Sequence, residues 1–489
     1  MRISVTRKPI KIYPDSKRVI VRFFYNGDER AVNVIKLVMY MSDAEVMEEL
    51  ISVLREFSKR HRRITRVFEK NCERISNLFE SLDISLADMD TYRKMLIGSY
   101  FTHEYSIESA AFFNPSIVEH PDQSDLPEGE KRVIISFRAV GEGHISSIVF
   151  RRAVLDSQNN LVLSSPGTLI EEADIIRNTV YKKDIFEDTG ILNQLSEEIK
   201  SKLVDKLPDS FDYTALKKAI GDLEFTEKNE ANLYAFEKIL WLADSYHYIH
   251  FSLDTDLSNR VIFPVSEFEQ KGVEDARFVR FVNDDGSISF YATYTAWDGI
   301  TIQPKLLVTQ NFYDFRIMPL YGSGAKNKNL ALFPRKINGN FVMISRIDGV
   351  NNYIMYSNKV NVWENPMLLQ EPKYPWEFIQ IGNCGSPIET DKGWLLITHG
   401  VGAMRRYCLG ASLFSLEDPS IELGRLKEPL LMPNDEEREG YVPNVLYSCG
   451  SIIHNSELLI PYGLSDYGTG FATVPVEPLL EKILEEGRG

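Results

Sequence analysis

The sequence predicts a mainly β fold: a radial β-propeller with an α-helical N-terminal region and a helical insertion. Many short runs of β-branched and aromatic residues follow the N-terminal region, for example Arg132–Arg138 and Phe290–Thr295. Turn sequences such as Asn283–Gly286 separate these runs, as is typical of all-β proteins. Two blocks with helical periodicity stand apart from the β-rich sequence. A β-sandwich is the alternative architecture.

Composition and charge indicate an ordered globular protein and limit its partners. The 489 residues exceed what one simple core usually supports, so two domains or one large repetitive domain are expected. Hydrophobic residues make up 44% and charged residues 26%, which excludes a disordered chain. The net charge of −15 argues against a nucleic-acid partner, because phosphate backbones require a basic surface. A neutral sugar is compatible with this charge, whereas an anionic co-substrate needs a local basic pocket.

The cysteines and the N-terminal sequence favour a cytoplasmic protein without a metal site. The four cysteines lack CxxC spacing and lie in no Cys/His cluster, so we expect buried free thiols. Met1–Val5 lacks the apolar core of a signal peptide. No apolar run is long enough to span a membrane, so no membrane partner is expected.

Residues 1–104 are predicted to contain a strand pair followed by helices. Val19–Tyr25 is β-branched and aromatic, which favours a strand pair within residues 1–33. Ser42–Glu45 forms a capping box and begins a helix with one apolar stripe. The basic run Lys59–Arg63 is diluted by acidic neighbours, which favours a solvated helix face or a subunit contact over a nucleic-acid patch.

Residues 105–489 are predicted to form the β-propeller domain, with a helical insertion at about 170–245. Leu192–Ile199 and Leu233–Trp241 both carry the helical period within this insertion. We expect the insertion and the N-terminal helices to serve in packing, in homo-oligomer contacts or as a cap over the substrate entrance.

Asp275 is the strongest candidate for acid–base chemistry. It lies in Lys271–Arg280, where strand alternation predicts Asp275 and Arg277 on one face and Glu274 and Ala276 on the other. A carboxyl group paired with an arginine stays ionised. A general acid instead needs a raised pKa, from burial or from a neighbouring carboxylate such as Glu274. A structural salt bridge with Arg277 is the alternative.

Basic residues form a second candidate group, and its members are Lys328, Arg335, Lys336, Arg346, His399, Arg405 and Arg406. Most basic side chains of globular proteins are solvated, which is the alternative for each of them. Arg405 and Arg406 lie in the apolar, glycine-rich stretch Gly400–Gly410, where guanidinium forks suit phosphate oxygens. His399 follows an apolar strand and is either a hydrogen-bonded histidine at a strand end or a phosphate or sugar ligand.

Aromatic and carboxylate side chains form a third candidate group, suited to a sugar. Tyr294, Trp297 and Trp376 offer faces for a pyranose ring, with core packing as the alternative. Asp466 is either a carboxylate that accepts hydrogen bonds from sugar hydroxyls or a residue of a turn.

Five stretches of the sequence together resemble glycoside hydrolase family 130, the β-mannoside phosphorylases and their hydrolytic relatives. The stretches are Phe113–Ser116, Gly272–Arg277, Lys328–Pro334, Thr398–Val401 and Tyr462–Asp466. The resemblance covers roughly residues 105–480 without the helical insertion, so the chain resembles a member of the family with an N-terminal helical extension. The resemblance implies a five-bladed β-propeller.

The resemblance also implies roles for individual residues. Asp275 corresponds to the family's proton donor, whose proton is thought to pass through the 3-hydroxyl of the mannosyl unit; Ala276 stands where the family usually has Pro. The implied phosphate-binding residues are Lys328, His399, Arg405 and Arg406. The resemblance implies that Asn114, Arg138 and Asp466 lie at the sugar-binding subsite. The further predicted substrate-binding residues are Glu274, Arg277, Tyr294 and Arg346.

The predicted function is therefore the inverting phosphorolysis of β-mannosides, with β-1,2-mannooligosaccharides and phosphate as partners and α-mannose 1-phosphate as product. No metal or organic cofactor is expected, because a proton assists the leaving group and the nucleophile is already anionic. The alternative enzyme is an inverting β-mannosidase, with Glu274 or Glu377 as the base. A non-catalytic sugar-binding propeller is an alternative of another class.

Overall fold

The computed structural model of the chain describes residues 3–167, 169–177, 181–183, 192, 195–226, 229–266, 269–300 and 302–488. Within these residues the fold is mainly β, as the sequence predicts. None of the helices in the described part of the chain combines the length and the apolar character needed to cross a lipid bilayer.

The N-terminal part of the chain combines strands with a cluster of helices. Its elements are β1 (Thr6–Ile12), β2 (Val19–Phe23), α1 (Asp28–Tyr40), α2 (Asp43–Phe57), α3 (Ile64–Glu73), α4 (Ser76–Glu80), α5 (Thr91–Tyr100) and β3 (Thr102–Ser106). The capping box is confirmed: the Ser42 hydroxyl accepts the Glu45 N–H, and the Glu45 carboxylate accepts the Ser42 N–H. Buried Val46 and Leu50 turn the apolar stripe of α2 towards the neighbouring helices.

The predicted strand pair within residues 1–33 is wrong in its pairing. Both strands form, but β2 pairs with β3, and β1 pairs with the last strand of the chain, Gly468–Pro475. Strand propensity does not specify a partner, because tertiary contacts decide which edge is available. The predicted boundary between residues 104 and 105 stays a prediction.

Five antiparallel ladders follow, and we number them in chain order. Ladder 1 contains β4 (Ala111–Glu119), β5 (Lys131–Val140), β6 (Ser146–Leu155) and β7 (Leu161–Leu163). The segment after it contains β8 (Glu171–Glu172), β9 (Asp174–Arg177), β10 (Tyr181–Lys182), β11 (Ser210–Phe211), β12 (His247–His250) and β13 (Arg260–Ile262). Ladder 2 contains β14 (Gly272–Val282), β15 (Ile288–Trp297), β16 (Ile302–Thr309) and β17 (Asp314–Pro319).

Ladder 3 contains β18 (Ala331–Leu332), β19 (Phe341–Ser345), β20 (Asn352–Ser357) and β21 (Met367–Gln370). Ladder 4 contains β22 (Gln380–Asn383), β23 (Ile388–Thr390), β24 (Gly393–Val401), β25 (Tyr407–Phe414) and β26 (Glu422–Arg425). Ladder 5 contains β27 (Leu446–Tyr447), β28 (Ile452–His454), β29 (Glu457–Leu464) and β30 (Gly468–Pro475), joined by β1 and followed by helix α9 (Val476–Gly487).

Ladders 1 and 2 merge into one twelve-stranded sheet, so the predicted count of five separate blades is not confirmed. The junction is a single parallel pairing of Ser146 in β6 with Gly272 in β14. Gly272 has a φ of +127°, and a Cβ atom there would lie 2.3 Å from the Ser146 hydroxyl oxygen. Only glycine fits this close approach, which fixes where strand β14 begins.

The helical insertion packs around a core of its own. Helices α6 (Glu197–Lys206), α7 (Tyr213–Thr226) and α8 (Glu230–Asp244) share buried Leu203, Leu216, Phe236 and Ile239. The predicted helix Leu233–Trp241 is confirmed within α8. The prediction of helix from residue 170 is wrong, because β8, β9 and β10 lie within residues 171–177 and 181–182. Of the predicted helix Leu192–Ile199, residues Asn193 and Gln194 lie outside the described residues.

In every ladder, one turn lies at the edge where the first strand of the ladder begins. Ala111 pairs with Val140 before the turn at 141–145, and Gly272 pairs with Trp297 before the turn that begins at residue 298. The turns at 346–351, 402–406 and 465–467 occupy the same position in ladders 3, 4 and 5. These five turns carry or adjoin most of the candidate site residues.

Candidate active site

Asn114 and Asp275 lie in β-bulges on β4 and β14, the first strands of ladders 1 and 2. The register shifts between Phe113 and Ser116 in one strand and between Glu274 and Arg277 in the other. Both bulge residues adopt left-handed conformations, with φ values of +50° and +56°. Asn and Asp tolerate this conformation better than most residues. The bulges turn the two side chains towards each other, and Asn114 Nδ2 donates a 2.7 Å hydrogen bond to Asp275 Oδ1.

The bulge also brings Glu274 and Asp275 to the same cation, Arg138. Arg138 Nη2 lies 2.6 Å from Glu274 Oε1, and Arg138 Nη1 lies 3.8 Å from Asp275 Oδ1. The prediction that Glu274 and Asp275 lie on opposite faces is therefore wrong. An extra residue in a strand breaks the period of two on which that prediction rests.

Arg277 contacts the backbone of Asp275 rather than its carboxylate. Its Nη1 donates to the Asp275 carbonyl oxygen at 3.0 Å, and its Nη2 donates to the Tyr447 hydroxyl at 2.5 Å. The guanidinium is almost completely buried. Arg277 thus ties the bulge of ladder 2 to strand β27 of ladder 5.

The charges around Asp275 keep its carboxylate ionised. Burial by itself would raise its pKa, but the guanidinium groups of Arg138 and Arg277, the ammonium of Lys328 and the Asn114 hydrogen bond together hold the pKa below its ordinary value. Lys328 Nζ lies 2.7 Å from Glu274 Oε2, and its side chain is 34% exposed. A proton donor in this position needs a further influence that raises its pKa.

Asp466 joins this cluster from the turn between β29 and β30. It also has a left-handed φ, +52°. Burial raises the pKa of Asp466 to about 6; the charges of Asp275 and Glu274 act in the same direction, while Arg138 and Arg405 oppose it. Asp466 therefore titrates close to neutral pH.

His399 is completely buried beside Arg346 of ladder 3. Arg346 Nη1 donates to His399 Nε2 at 3.1 Å, so this ring nitrogen carries no proton. Burial and the charges of Arg346 and Arg277 lower the pKa of His399 well below its ordinary value, so the ring stays neutral. The Tyr407 and Tyr447 rings lie 6.0 and 4.8 Å from the imidazole, centroid to centroid. His399 thus positions the Arg346 guanidinium.

Arg405 and Arg406 have different neighbours, although both are exposed in the turn at 402–406. The Arg405 charge acts on Asp466 and lowers its pKa. The Arg406 charge opposes the burial that raises the pKa of the Cys408 thiol. Of the two charges, that of Arg405 is the one that acts on the cluster around Asp275.

Tyr294 does not join the cluster, which corrects the prediction that it binds substrate. The ring packs in the hydrophobic core, and the hydroxyl donates a 2.9 Å hydrogen bond to Glu269. Glu269 in turn pairs with Lys305 at 2.9 Å, and both charged side chains are buried. The prediction overlooked that the tyrosine hydroxyl has a buried acceptor on the core side of β15.

The environment of Glu377 makes it unsuitable as the base for hydrolysis, for which it was one of two candidates. Glu377 is buried; it accepts hydrogen bonds from the backbone N–H groups of Lys373 and Tyr374 and pairs with Arg425 at 3.2 Å. It therefore stabilises a loop of ladder 4. Trp376 beside it is buried against Gly400 and Gly410 and is unsuited to stacking on a sugar.

Two groups of the cluster were missed by sequence reasoning. Tyr447 contacts both Arg277 and His399, but its surroundings in the sequence contain no motif. Asn329 and Asn383 exchange hydrogen bonds between ladders 3 and 4 through side-chain N–H groups and backbone oxygens, at 3.1 and 2.5 Å. Asn329 directly follows Lys328 within Lys328–Pro334, one of the five stretches that carry the family resemblance, so the sequence could have indicated this residue.

The site gathers three carboxylates and several cations on turns and bulges of five β-ladders. In the described part of the chain, no three His, Cys, Asp or Glu side chains come together as a metal site. Paired carboxylates with fixed positions suit glycoside chemistry, and the adjacent cations suit an anionic nucleophile. The fold and the site together define an enzyme of the glycoside phosphorylase class.

Comparison with known proteins supplies the family. The sequence model of glycoside hydrolase family 130, described as β-1,4-mannooligosaccharide phosphorylase, matches residues 231–486. This match covers more than half of the 489 residues, and the chain belongs to this family. The resemblance stated from the five stretches is thereby confirmed. Asn114 and Arg138 precede the matched segment, so their assignment depends on the geometry described above.

Two relatives illustrate the similarity. A 1,2-β-oligomannan phosphorylase of Thermoanaerobacter sp. (strain X514) is 35% identical over 230 residues, which cover 46% of this chain and 75% of the relative. A β-1,2-mannobiose phosphorylase of Listeria innocua is 28% identical over 248 residues, 49% of this chain and 67% of the relative. Among solved structures, the Listeria innocua β-1,2-mannobiose phosphorylase in complex with β-1,2-mannobiose is 21% identical and covers 78% of this chain and 94% of that chain, with a TM-score of 0.45.

Proposed function

We propose that this chain catalyses the phosphorolysis of β-mannosides with inversion at the anomeric carbon. Its substrates are short β-1,2-linked mannooligosaccharides and inorganic phosphate. Its products are α-mannose 1-phosphate and a saccharide shortened by one unit. Family membership supports the reaction class, and the names of the two relatives support the β-1,2 linkage.

The observation that carries this proposal is the position of Asp275 relative to the cations. Asn114 fixes one carboxylate oxygen of Asp275, and the Lys328 charge acts on this carboxylate. Arg346, at the turn of ladder 3, is held by His399. With the proton donor on ladder 2 and the anion site on ladder 3, the proposal places the saccharide between them. Inversion requires this placement of the proton donor and the nucleophile.

The proposed reaction balances with phosphate as nucleophile. An oxygen of hydrogen phosphate forms a bond to the anomeric carbon as the glycosidic C–O bond breaks on the opposite face. Asp275 supplies the proton that the departing oxygen needs, through the 3-hydroxyl of the mannosyl unit. The proton of the hydrogen phosphate then restores Asp275 to its acid form.

Phosphate binding provides the influence that raises the pKa of Asp275. In the unliganded site, Arg138, Arg277 and Lys328 hold that pKa below its ordinary value. A bound dianion offsets these positive charges and disfavours a second anion nearby, so the pKa of Asp275 rises. The enzyme therefore takes up a proton when phosphate binds, and it becomes a proton donor only when the nucleophile is present.

Hydrolysis needs a carboxylate base in place of the phosphate site. Glu377 is excluded by its position in the ladder 4 loop. Glu274 lies between Arg138 and Lys328, at 2.6 and 2.7 Å, so each of its carboxylate oxygens is already engaged by a cation and neither is directed at a water. The arrangement therefore favours phosphorolysis.

Product analysis tests the proposal. Purified protein is incubated with β-1,2-mannobiose, with and without inorganic phosphate, and β-1,4-mannobiose is assayed in parallel. We expect α-mannose 1-phosphate and mannose only in the presence of phosphate, and the anomeric configuration of the phosphate ester reports inversion. Free mannose at the same rate without phosphate would show hydrolysis and overturn the proposal.

Asp275→Asn is the matched control for this experiment. It keeps the size of the side chain and removes the proton, so the phosphorolysis rate is expected to fall about 1,000-fold. If neither protein forms product from either disaccharide while both bind them, the chain is a sugar-binding protein and the proposal fails.

A further inference from the structure

A pair of aromatic rings lies beside the candidate active site and has no role in the chemistry proposed so far. His144, in the turn of ladder 1, and Tyr441, in the loop before ladder 5, have ring centroids 5.5 Å apart at an interplanar angle of 34°. Tyr441 is 69% exposed. His144 is exposed as well.

The position of His144 in its turn matches that of Arg405 in the turn of ladder 4. Gly141 and Gly402, which begin the two turns, have nearly identical backbone angles: φ −108° and ψ −159° against φ −109° and ψ −160°. His144 and Arg405 both follow a residue of positive φ and have positive φ themselves, +58° and +54°. Equivalent turns thus place one residue each at the rim of the site.

Tyr441 lies in a loop that is hydrogen-bonded to the turn of Asp466. The N–H of the next residue, Val442, donates a 3.0 Å hydrogen bond to the Ser465 carbonyl oxygen, directly before Asp466. The turn of His144 is anchored by the Tyr105 hydroxyl, which donates to the Glu142 carbonyl oxygen at 2.8 Å. The Tyr441 loop is therefore held at the turn that carries Asp466, and His144 lies in the turn that follows the strand of Arg138.

We propose that His144 and Tyr441 form the platform that binds the saccharide on the leaving-group side of the scissile bond. The inference rests on the proposed function and assigns the part of the substrate that is released as the shortened saccharide. The pyranose ring of that unit packs its C–H face on the two rings, and the hydroxyl of the exposed Tyr441 meets sugar hydroxyls.

Position in the fold distinguishes this side of the site from the phosphate side. Two of the cations proposed for phosphate, Lys328 and Arg346, belong to ladder 3, whereas the Arg405 charge acts on Asp466. His144 and Tyr441 belong to ladder 1 and to the loop before ladder 5, next to the turn of Asp466. A neutral acceptor sugar suits an exposed aromatic surface next to a carboxylate.

The reverse reaction separates the two sides of the site. Rates of synthesis are measured with α-mannose 1-phosphate as donor and β-1,2-mannobiose as acceptor, varying each in turn. Tyr441→Ala is expected to raise the KM for the acceptor about tenfold, with the KM for α-mannose 1-phosphate unchanged. Tyr441→Phe retains the ring and is expected to stay within about twofold of the parent.

Tyr40→Ala is the matched control, because Tyr40 is an 85% exposed tyrosine on helix α1, in the N-terminal helical region. The proposal is overturned if Tyr441→Ala leaves the acceptor KM within about twofold, or raises both KM values equally. His144→Ala is expected to act on the same KM as Tyr441→Ala.

Calorimetric titration with β-1,2-mannotriose makes the test independent of turnover. Weaker binding to Tyr441→Ala than to the parent and to Tyr40→Ala supports the platform, even if no phosphorolysis occurs and the proposed function fails. Equal binding to all three proteins, or no binding to the parent, overturns it.

Discussion

Asn114 and Asp275, 161 positions apart in the chain, meet through a 2.7 Å hydrogen bond between two left-handed β-bulge residues. Each bulge interrupts the first strand of its ladder, and the hydrogen bond joins ladder 1 to ladder 2 at the proposed catalytic carboxylate. Strained backbone persists where the surrounding structure fixes it, and here both strained residues serve the same contact.

Substitution of Asn114 is expected to separate its hydrogen bond from its backbone conformation. Asn114→Gly and Asn114→Ala both remove the bond to Asp275, so the pKa of Asp275 rises and the basic limb of the pH–rate profile moves to higher pH. Asn114→Ala alone adds a cost of about 1 kcal/mol, because alanine is strained at positive φ. Rate profiles and denaturation midpoints measure the two effects, and an unchanged basic limb in Asn114→Gly would contradict this role.

Asp466 is expected to bind sugar at the expense of stability. Its pKa is raised to about 6, above that of the unfolded chain, so the folded state binds the extra proton between about pH 4 and pH 6. The contribution of Asp466 to the free energy of unfolding is present at low pH and is lost as the pH rises through 6. Asp466→Asn removes the buried charge and is expected to stabilise the protein at pH 7 by about 1 kcal/mol.

The same substitution is expected to lower activity, because an amide accepts fewer hydrogen bonds from sugar hydroxyls than a carboxylate. In the parent protein, the KM for saccharide is expected to rise as the pH falls below about 6, where Asp466 becomes protonated. Thermal unfolding and KM values measured across this pH range test both statements. A less stable Asp466→Asn at pH 7 would contradict the burial argument.

The sequence allowed the strands and several site residues to be predicted, because these depend on local composition. The capping box at Ser42 and Glu45 is a contact within four residues, and it forms as expected. Pairing over long distances was not predictable. Strand β1 joins β30 at the far end of the chain, which no local pattern specifies.

The arrangement of side chains in the site could not be predicted from the sequence either, because it also depends on contacts between distant strands. Strand alternation placed Glu274 and Asp275 on opposite faces, but one bulge residue brings both to Arg138. Tyr294 has the aromatic face that a sugar site needs, yet a buried carboxylate on the core side takes its hydroxyl. Such choices depend on partners supplied by other strands, and residue type alone does not reveal them.

The buried pair of Glu269 and Lys305 is expected to be essential for stability. Hydrogen bonds and the ammonium of Lys305 hold the pKa of Glu269 at about 2, against the opposing effect of burial. Lys305→Met leaves a buried carboxylate without its cation, which is expected to cost about 3–5 kcal/mol. The double variant Glu269→Gln with Lys305→Met is expected to be less destabilised. Chemical denaturation tests this order, and equal losses in both would refute it.

Arg405 and Arg406 are expected to differ in their contribution to activity. The Arg405 charge acts on the carboxyl group of Asp466, whereas the Arg406 charge acts on the thiol of Cys408. We therefore expect Arg405→Ala to raise the KM for phosphate or the KM for saccharide about tenfold. Arg406→Ala is expected to change each of these KM values less than threefold. Each variant is the control for the other, because both residues are exposed neighbours in one turn. A larger effect of Arg406→Ala would reverse the assignment.

His399 and Arg346 are expected to act as one unit in binding phosphate. Because His399 Nε2 accepts a hydrogen bond from Arg346 and the ring stays neutral, the imidazole orients the guanidinium without adding charge. Arg346→Ala and His399→Ala should each raise the KM for phosphate, and the double variant should lose little more than Arg346→Ala alone. Additive losses would instead mean that His399 binds phosphate itself. Because the ring stays neutral, the pH–rate profile of the parent protein should show no titration of His399 near neutral pH. A limb of that profile that lies near neutral pH and disappears in His399→Ala would also contradict the positioning role.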